Sequence, residues 1–554
     1  MNHRKAFLFL ATALSLTLSS CVFHILLPSD KVDHDYTDEK GNTIYQYQKV
    51  NDEYKKEKLT LENVGINCGY RYLSSLGNQK LLVVPVQFRD KEFTSTQLER
   101  LENVFFGKSE DTGWESVSSF YQKSSYGKLN LSGVVTKPMT VDQTVKTFSA
   151  NYKKSSNNAK TYTDFVLDAV LQKLVSDGFD LTQYDTDKDG YVDAVWLVYS
   201  ANYNRNDSSS PFWAYTTWEA SPKVVDQTNY LKGCLYSWAS IEFTVEKNYP
   251  DSFRFDSTST TNGDAHTFIH ETGHMLGLDD YYSYDYSSAD KNYDIPLGGI
   301  DMMDMNIGDH CAYSKYLLGW ISPLVISEEY LKANDYTLTL NSLTDTSTTE
   351  NKAFLLPSYS DGSYRYNGTP FDEYLLIEYS TDSDLNYQDS LSKYTNGIQG
   401  YSKSGVLVYH IDARVGRMLP DAKGTPIWDG TVYDGLPMYS TDWGRKLMYF
   451  YLYSNTRSYC YDTKISDDSS RFYRGRLNSL LPKSGNRTGD SIRGYSSNSS
   501  LYQKGDSFMV KSDGKEGTFS EFVFDDGTTP QFGFTVTNLS TGTRKQASLS
   551  FNRI

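Results

Sequence analysis

A chain of 554 residues is long enough for two or three domains, and 38% hydrophobic content with 15% aromatic excludes wholesale disorder. The formal net charge of −15 disfavours nucleic acid as a partner and suits a solvated extracellular surface. The 46 Tyr are too many to be catalytic and belong mostly in cores and on half-buried strands.

The N-terminus reads as an export address. His3-Arg4-Lys5 is basic, residues 6–18 are apolar, and Leu18-Ser19-Ser20-Cys21 follows, the layout of a signal peptide over 1–20. L-S-S-C also resembles the bacterial lipobox. Cys21 is therefore expected to become the lipid-modified N-terminus, tethering the protein to the cell surface without a spanning helix. An ordinary signal or an uncleaved anchor is the alternative, because residues 22–27 prolong the apolar run. Residues 21–77 are polar with little periodicity and read as a tether or pro-segment. Cys68 lies there, readable as an incidental thiol or as a thiolate that would occupy a zinc ion's open position. Cys234, Cys311 and Cys460 make no C-x-x-C pair, which argues against a zinc ribbon.

A first folded domain is expected over 78–323. It opens with a β-rich run at 81–88 whose Pro85 suggests an edge or bulged strand. Helical patterns follow at 95–106 and 115–121, a strand at 129–135, and an amphipathic helix at 163–175 closed by Gly178. Strands are expected at 191–199 and 236–245. Just before the first of these, Asp185, Asp187, Asp189, Tyr191 and Asp193 alternate around Gly190. That spacing aims several oxygens at one hard cation, so a structural Ca²⁺ is expected; an Asp-rich solvated turn is the alternative, and the twelfth position of a full EF-hand is Trp196 rather than Glu.

The chemistry concentrates in 264–280. His270-Glu271-Thr272-Gly273-His274 has the form H-E-x-x-H. On a helix, positions four apart stand one turn above each other, so both imidazoles face one cation and Glu271 points toward the same side. A catalytic zinc needs two neutral nitrogens, an open place for water and a carboxylate to take the water's proton. Asp264 or Asn262 can cap the helix, and Gly277 can end it and turn the chain so that Asp280 returns as third ligand. Further on, Gly298-Gly299-Ile300-Asp301-Met302-Met303-Asp304 resembles the Met-turn of metzincins.

GHMLGLDDYY and GGIDMMDMNIGDHCAYSKYLLGWISP together resemble the secreted bacterial metalloproteases of the immune inhibitor A type, metallopeptidase family six. The similarity runs from Leu81 to Pro323, with weaker echoes in EYLLIEYS and GVLVYHID. The resemblance implies an α+β zincin or metzincin-like domain, a twisted sheet with an active-site helix. It implies zinc endopeptidase activity, with His270, His274 and Asp280 as ligands, Glu271 as general base and Met303 as the Met-turn residue. Asp279 stands where better-known members carry Pro, which leaves Asp279 beside Asp280 as a candidate for the third ligand.

The other histidines weigh less. His266 cannot join His270 and His274 on a straight helix around one tetrahedral ion, and reads as packing or a donor to a ligand. His310 is readable as an oxyanion stabiliser, an anchor for a loop or a structural residue, and Tyr313 is the other candidate for the first role. His410 reads as a sheet residue.

From 324 to 554 short β-type runs alternate with Gly-, Ser-, Asn- and Asp-rich turns, at 336–340, 353–356, 373–379, 405–411, 446–453, 519–524, 531–536 and 546–551. They predict a mostly antiparallel β domain, sandwich-like, with 458–503 as an irregular insertion. The expected partners are protein or peptide substrates and, through Cys21, a membrane; nucleic acid is not expected, the oligomeric state is open and a monomer is the default. The rival from another class is a non-catalytic surface lipoprotein binding a host or cell-wall ligand through this β half.

Overall fold

The computed structural model describes residues 36–37, 43–44 and 72–554, apart from 155–158, 205–209, 220–221, 246–262, 279, 282–296, 305, 367, 371, 392, 395–398, 413–414, 421–425, 433–450, 453–477, 481–486, 489–490, 493–495, 511–521, 523 and 525–527. Cys21, Cys68, Cys460 and Asp279 thus lie outside the described residues. Two compact units are present, one within Tyr70–Asp279 and one within Asp280–Ser283 and Ala289–Ile554.

The first unit is organised on β1 (Gly77–Phe88). It pairs in parallel with β2 (Leu129–Val135), β3 (Met139–Val141) and β5 (Val195–Tyr199). The edge position expected from Pro85 is therefore wrong: β1 is central. Pro85 falls between the last β2 pair, Val83 with Val135, and the first β3 pair, Val86 with Met139, so its missing N–H leaves no gap in either ladder. Burial on both faces also explains why 81–88 is nearly continuously apolar.

One face of this sheet, with Leu82, Val84, Leu197, Tyr236 and Trp238, forms a core with Phe148 of α3 (Val145–Lys154) and Leu167 and Leu171 of α4 (Ala159–Ser176). On the other face the Trp196 ring meets Phe105 of α1 (Ser95–Phe106) and Phe268. Beside α1 lies α2 (Val117–Ser124).

The single strand expected over 191–199 is two. β4 (Tyr191–Val192) pairs with β8 (Leu231–Gly233) in a small sheet that β7 (Val224–Asp226) completes, whereas β5 joins the main sheet. The chain breaks at Asp193, whose N–H is diverted to the Tyr184 carbonyl at 2.7 Å. Over 236–245 only the first part is strand, β9 (Leu235–Ser240). Ser240 then accepts from Glu242 N–H and starts a 3₁₀ turn. The main sheet runs β2-β1-β5-β9-β6, and β6 (Tyr215–Trp218), antiparallel to β9 at its edge, has no counterpart in the sequence reading.

The second unit, which begins at Asp280 rather than at 324, carries two mostly antiparallel sheets, the mostly antiparallel β structure expected. One sheet runs β10 (Leu324–Val325), β12 (Ala353–Ser360), β13 (Glu373–Ser380), β14 (Gly405–Asp412), β15 (Asn478–Leu480), with β10 and β12 the parallel pair. The other runs β11 (Thr337–Asn341), β18 (Lys545–Arg553), β17 (Phe532–Thr541), β16 (Ser507–Phe508). Leu340, Val536 and Leu549 from the second sheet share a core with Phe354, Leu375 and Val406 from the first. His410 is the sheet residue expected, its Nε2 3.0 Å from Glu373 Oε1. The runs at 446–453 and 519–524 lie mostly outside the described residues, as does most of 458–503.

Candidate active site

The site is built on α5 (His266–Met275). Neither Asp264 nor Asn262 is seen to cap it: the N-cap is Ala265, without a side-chain cap bond, and Asp264 Oδ1, one residue earlier, accepts from His266 N–H at 2.9 Å; Asn262 lies outside the described residues. A glycine ends the helix. Gly277 has φ +97°, a backbone that costs a Cβ-bearing residue strain but not glycine. Gly277 N–H donates to the His274 carbonyl at 2.9 Å and Leu278 N–H to the Gly273 carbonyl at 3.0 Å, the pair of bonds that defines a Schellman turn. This reversal carries the Leu278 carbonyl to 2.7 Å from His274 Nδ1. A carbonyl can only accept, so the proton sits on Nδ1 and the basic lone pair on Nε2.

Two residues beyond Leu278 the chain presents Asp280. One ligand atom from each of His270, His274 and Asp280 lies within 4.8 Å of the other two. The two imidazole rings stand nearly perpendicular, at 88°, with centroids 4.9 Å apart. All three residues are buried, as is Glu271. Two neutral nitrogens and a hard oxygen are a set that zinc takes, and bonds of about 2 Å put tetrahedral donors roughly 3.3 Å apart. The set fits such an ion, whose charge would also compensate the burial of a carboxylate. A carbonyl on the far nitrogen of His274 is the usual support for a metal-binding imidazole. His266, at the start of the helix, does not join the group.

Glu271 is gripped from the sheet. Thr216 Oγ1, on β6, lies 3.0 Å from both Glu271 Oε2 and the Glu271 carbonyl oxygen. Ser237 Oγ, on β9, lies 2.6 Å from Thr216 Oγ1. The registers place Trp196, Ser237 and Thr216 side by side across β5, β9 and β6, and Trp196 Nε1 donates to Thr272 Oγ1 at 3.3 Å. One row of the sheet thus holds two consecutive residues of the helix. From another side the Tyr121 hydroxyl of α2 donates to the Ile269 carbonyl at 2.7 Å. None of Thr216, Ser237 and Tyr121 was anticipated; no motif marks them, and Thr216 lies 55 positions from its partner.

In the second unit Met303 occupies a tight turn, with Asp304 N–H donating to the Asp301 carbonyl at 2.8 Å. The Met303 carbonyl accepts from Tyr281 N–H at 2.9 Å, tying the turn to the residue after Asp280. The Asp301 carboxylate organises this loop, accepting from Met303 N–H at 2.7 Å, Cys311 N–H at 2.6 Å and Ser314 Oγ at 3.2 Å. Burial raises the Asp301 carboxyl, but the donors, His310 foremost, outweigh it and hold the group below its ordinary range. His310 is buried with Nδ1 3.4 Å from Asp301 Oδ1 and its ring against Trp320. Tyr313 is buried on α6 (Ala312–Leu317).

At the acidic loop, ligand atoms of Asp185, Asp187 and Asp193 lie within 4.8 Å of one another. Asp189 is not in that group, and its Oδ1 accepts from Tyr191 N–H at 2.9 Å. Lys188 and Gly190 take positive φ, +61° and +86°, which folds the loop so tightly. Burial, and then the neighbouring Asp187 and Asp185, push the Asp193 carboxyl up to about 6, against the hydrogen bonds from Thr186.

Residues 77–296 match the family described as immune inhibitor A peptidase M6, catalytic domain. No curated protein matches the chain.

Proposed function

We propose that this chain, whose residues 77–296 belong to the immune inhibitor A peptidases, is an exported, membrane-tethered zinc endopeptidase with Glu271 as general base. The observation that supports this reading is the convergence of His270, His274 and Asp280 on one point, with Glu271 on the same helix held by Thr216. Bound zinc supplies Lewis acidity, which acidifies a water molecule and draws electron density from a peptide carbonyl. Glu271 takes the proton as the water oxygen bonds to the carbonyl carbon, then gives it to the amide nitrogen as the C–N bond breaks. No residue is acylated on this route.

The test is digestion of casein or gelatin by the protein in membrane fractions. Activity is expected, a zinc chelator should abolish it, zinc should restore it, and Cys21→Ser should move it out of the membrane fraction. Digestion that is absent, or indifferent to the chelator, would refute the peptidase reading; digestion that stays on the membrane in Cys21→Ser would refute the lipid anchor.

At the acidic loop we propose a structural calcium ion, held by Asp185, Asp187 and Asp193. A cation there would offset the burial that chiefly raises the Asp193 carboxyl and the lesser repulsion from Asp187 and Asp185. Calcium at 100 times its Kd should stabilise the fold by about 2.7 kcal/mol, a shift of several degrees in Tm, and Asp187→Asn should remove most of it. An identical Tm with calcium and with a calcium chelator would count against this ion.

A further inference from the structure

We infer that Thr216 is a positioning residue for the peptidase reaction: with Ser237 it forms a directed hydroxyl relay that orients the Glu271 carboxylate. This rests on the peptidase reading above.

Hydrogen-bond bookkeeping sets the direction. The Glu271 main-chain carbonyl accepts only, and Thr216 Oγ1 is 3.0 Å from it and 3.0 Å from Oε2 of the same residue. The single Thr216 proton therefore points at Glu271 and is shared between its two oxygens. Ser237 Oγ, 2.6 Å from Thr216 Oγ1, must then be the donor in that pair. The order is Ser237 to Thr216 to Glu271, and each donation strengthens the next.

Position follows from the sheet. Ser237 and Thr216 are directly opposed across β9 and β6, so their side chains emerge together on the face toward α5. Residues one place along, Tyr215 and Trp238, go to the other face, where their rings meet with centroids 4.5 Å apart. Thr216, Ser237 and Glu271 are each 0% exposed, which shields these bonds from bulk solvent. A threonine here has its rotamer restricted by β-branching and holds the hydroxyl in one place. Because one hydroxyl touches both the backbone and the side chain of Glu271, it fixes the carboxylate relative to the helix that carries His270 and His274.

The experiment compares Thr216→Val and Thr216→Ser with the wild type, all loaded with zinc, on a fluorogenic peptide. Valine keeps the shape and deletes the donor; kcat should fall roughly 10- to 100-fold, the worth of a hydrogen bond to a charged group, with KM changed less than about twofold. Serine restores the donor and should recover most of kcat. Zinc content should equal the wild type in both. Independently of activity, the infrared carboxylate band that Glu271→Gln removes should shift in Thr216→Val and return in Thr216→Ser. Should Thr216→Val fail to fold, Ser237→Ala keeps Thr216 but removes its donor, and should lower kcat about threefold with the same band moving less. A wild-type kcat in Thr216→Val, an unmoved band, or a serine variant as impaired as valine would each overturn the inference while leaving the peptidase reading intact. A wild type without chelator-sensitive hydrolysis would overturn both.

Discussion

Glu271→Gln should fold, bind zinc as the wild type does, and lose peptidase activity by roughly 10²–10⁴-fold in kcat/KM. The size follows from the role. A general base works through proton affinity at one oxygen, and an amide of the same shape has almost none. Folding should survive because Gln fills the same buried space and its carbonyl oxygen can still accept from Thr216. The mutation even removes a buried charge, so stability should not fall. Zinc should stay because its proposed ligands are His270, His274 and Asp280, and Glu271 is not among them. Glu271→Ala should be as inactive but less stable, since it opens a cavity at a fully buried position and takes the partner from Thr216. Peptide kinetics beside elemental zinc analysis separate these outcomes. Near wild-type turnover in Glu271→Gln would mean another group takes the proton.

What the sequence disclosed about this site is what lies close together along the chain. The two imidazoles are one helical turn apart, Asp264 accepts from the N–H of His266 two positions on, and Gly277 reverses the helix with bonds spanning three to five residues. Each of these is a local rule of backbone geometry, so a motif can carry it. Thr216 and Ser237 obey no local rule. They matter because β6 and β9 pair in a register that sets them opposite each other and beneath Glu271, and register is a property of the assembled sheet. The fold shows the same divide. Pro85 is a valid local sign of a strand edge, and only the break between β2 and β3 alongside it lets it sit in a central strand. The run 191–199 has one β-like pattern, yet Asp193 turns its N–H to Tyr184 and sends the two halves to different sheets.

The third ligand is where the sequence left two neighbours open, and where a pair of conservative variants should give opposite results. Asp280→Asn keeps size and burial but exchanges an anionic donor for a neutral amide, and should weaken zinc at least on the order of 100-fold, the upper range for losing mere support to a ligand. Asp279→Asn should leave zinc affinity unchanged where the third ligand is Asp280, whose carboxylate gathers with His270 and His274. Thermal melts with and without zinc turn this into stability. With zinc at 1,000 times the wild-type Kd the ion should stabilise the wild type by about 4.1 kcal/mol, and the 100-fold weaker Asp280→Asn by only about 1.4 kcal/mol. His274→Ala should lose more than affinity. It also strips the Leu278 carbonyl of the Nδ1–H that ties down the turn leading to Asp280, so two ligands are disturbed by one change. Its zinc-free form should therefore melt below that of Asp280→Asn, in which the imidazole and its carbonyl partner remain. Full zinc affinity in Asp280→Asn with loss in Asp279→Asn would move the third ligand one residue back, and would require the turn after Gly277 to close differently from the one seen here.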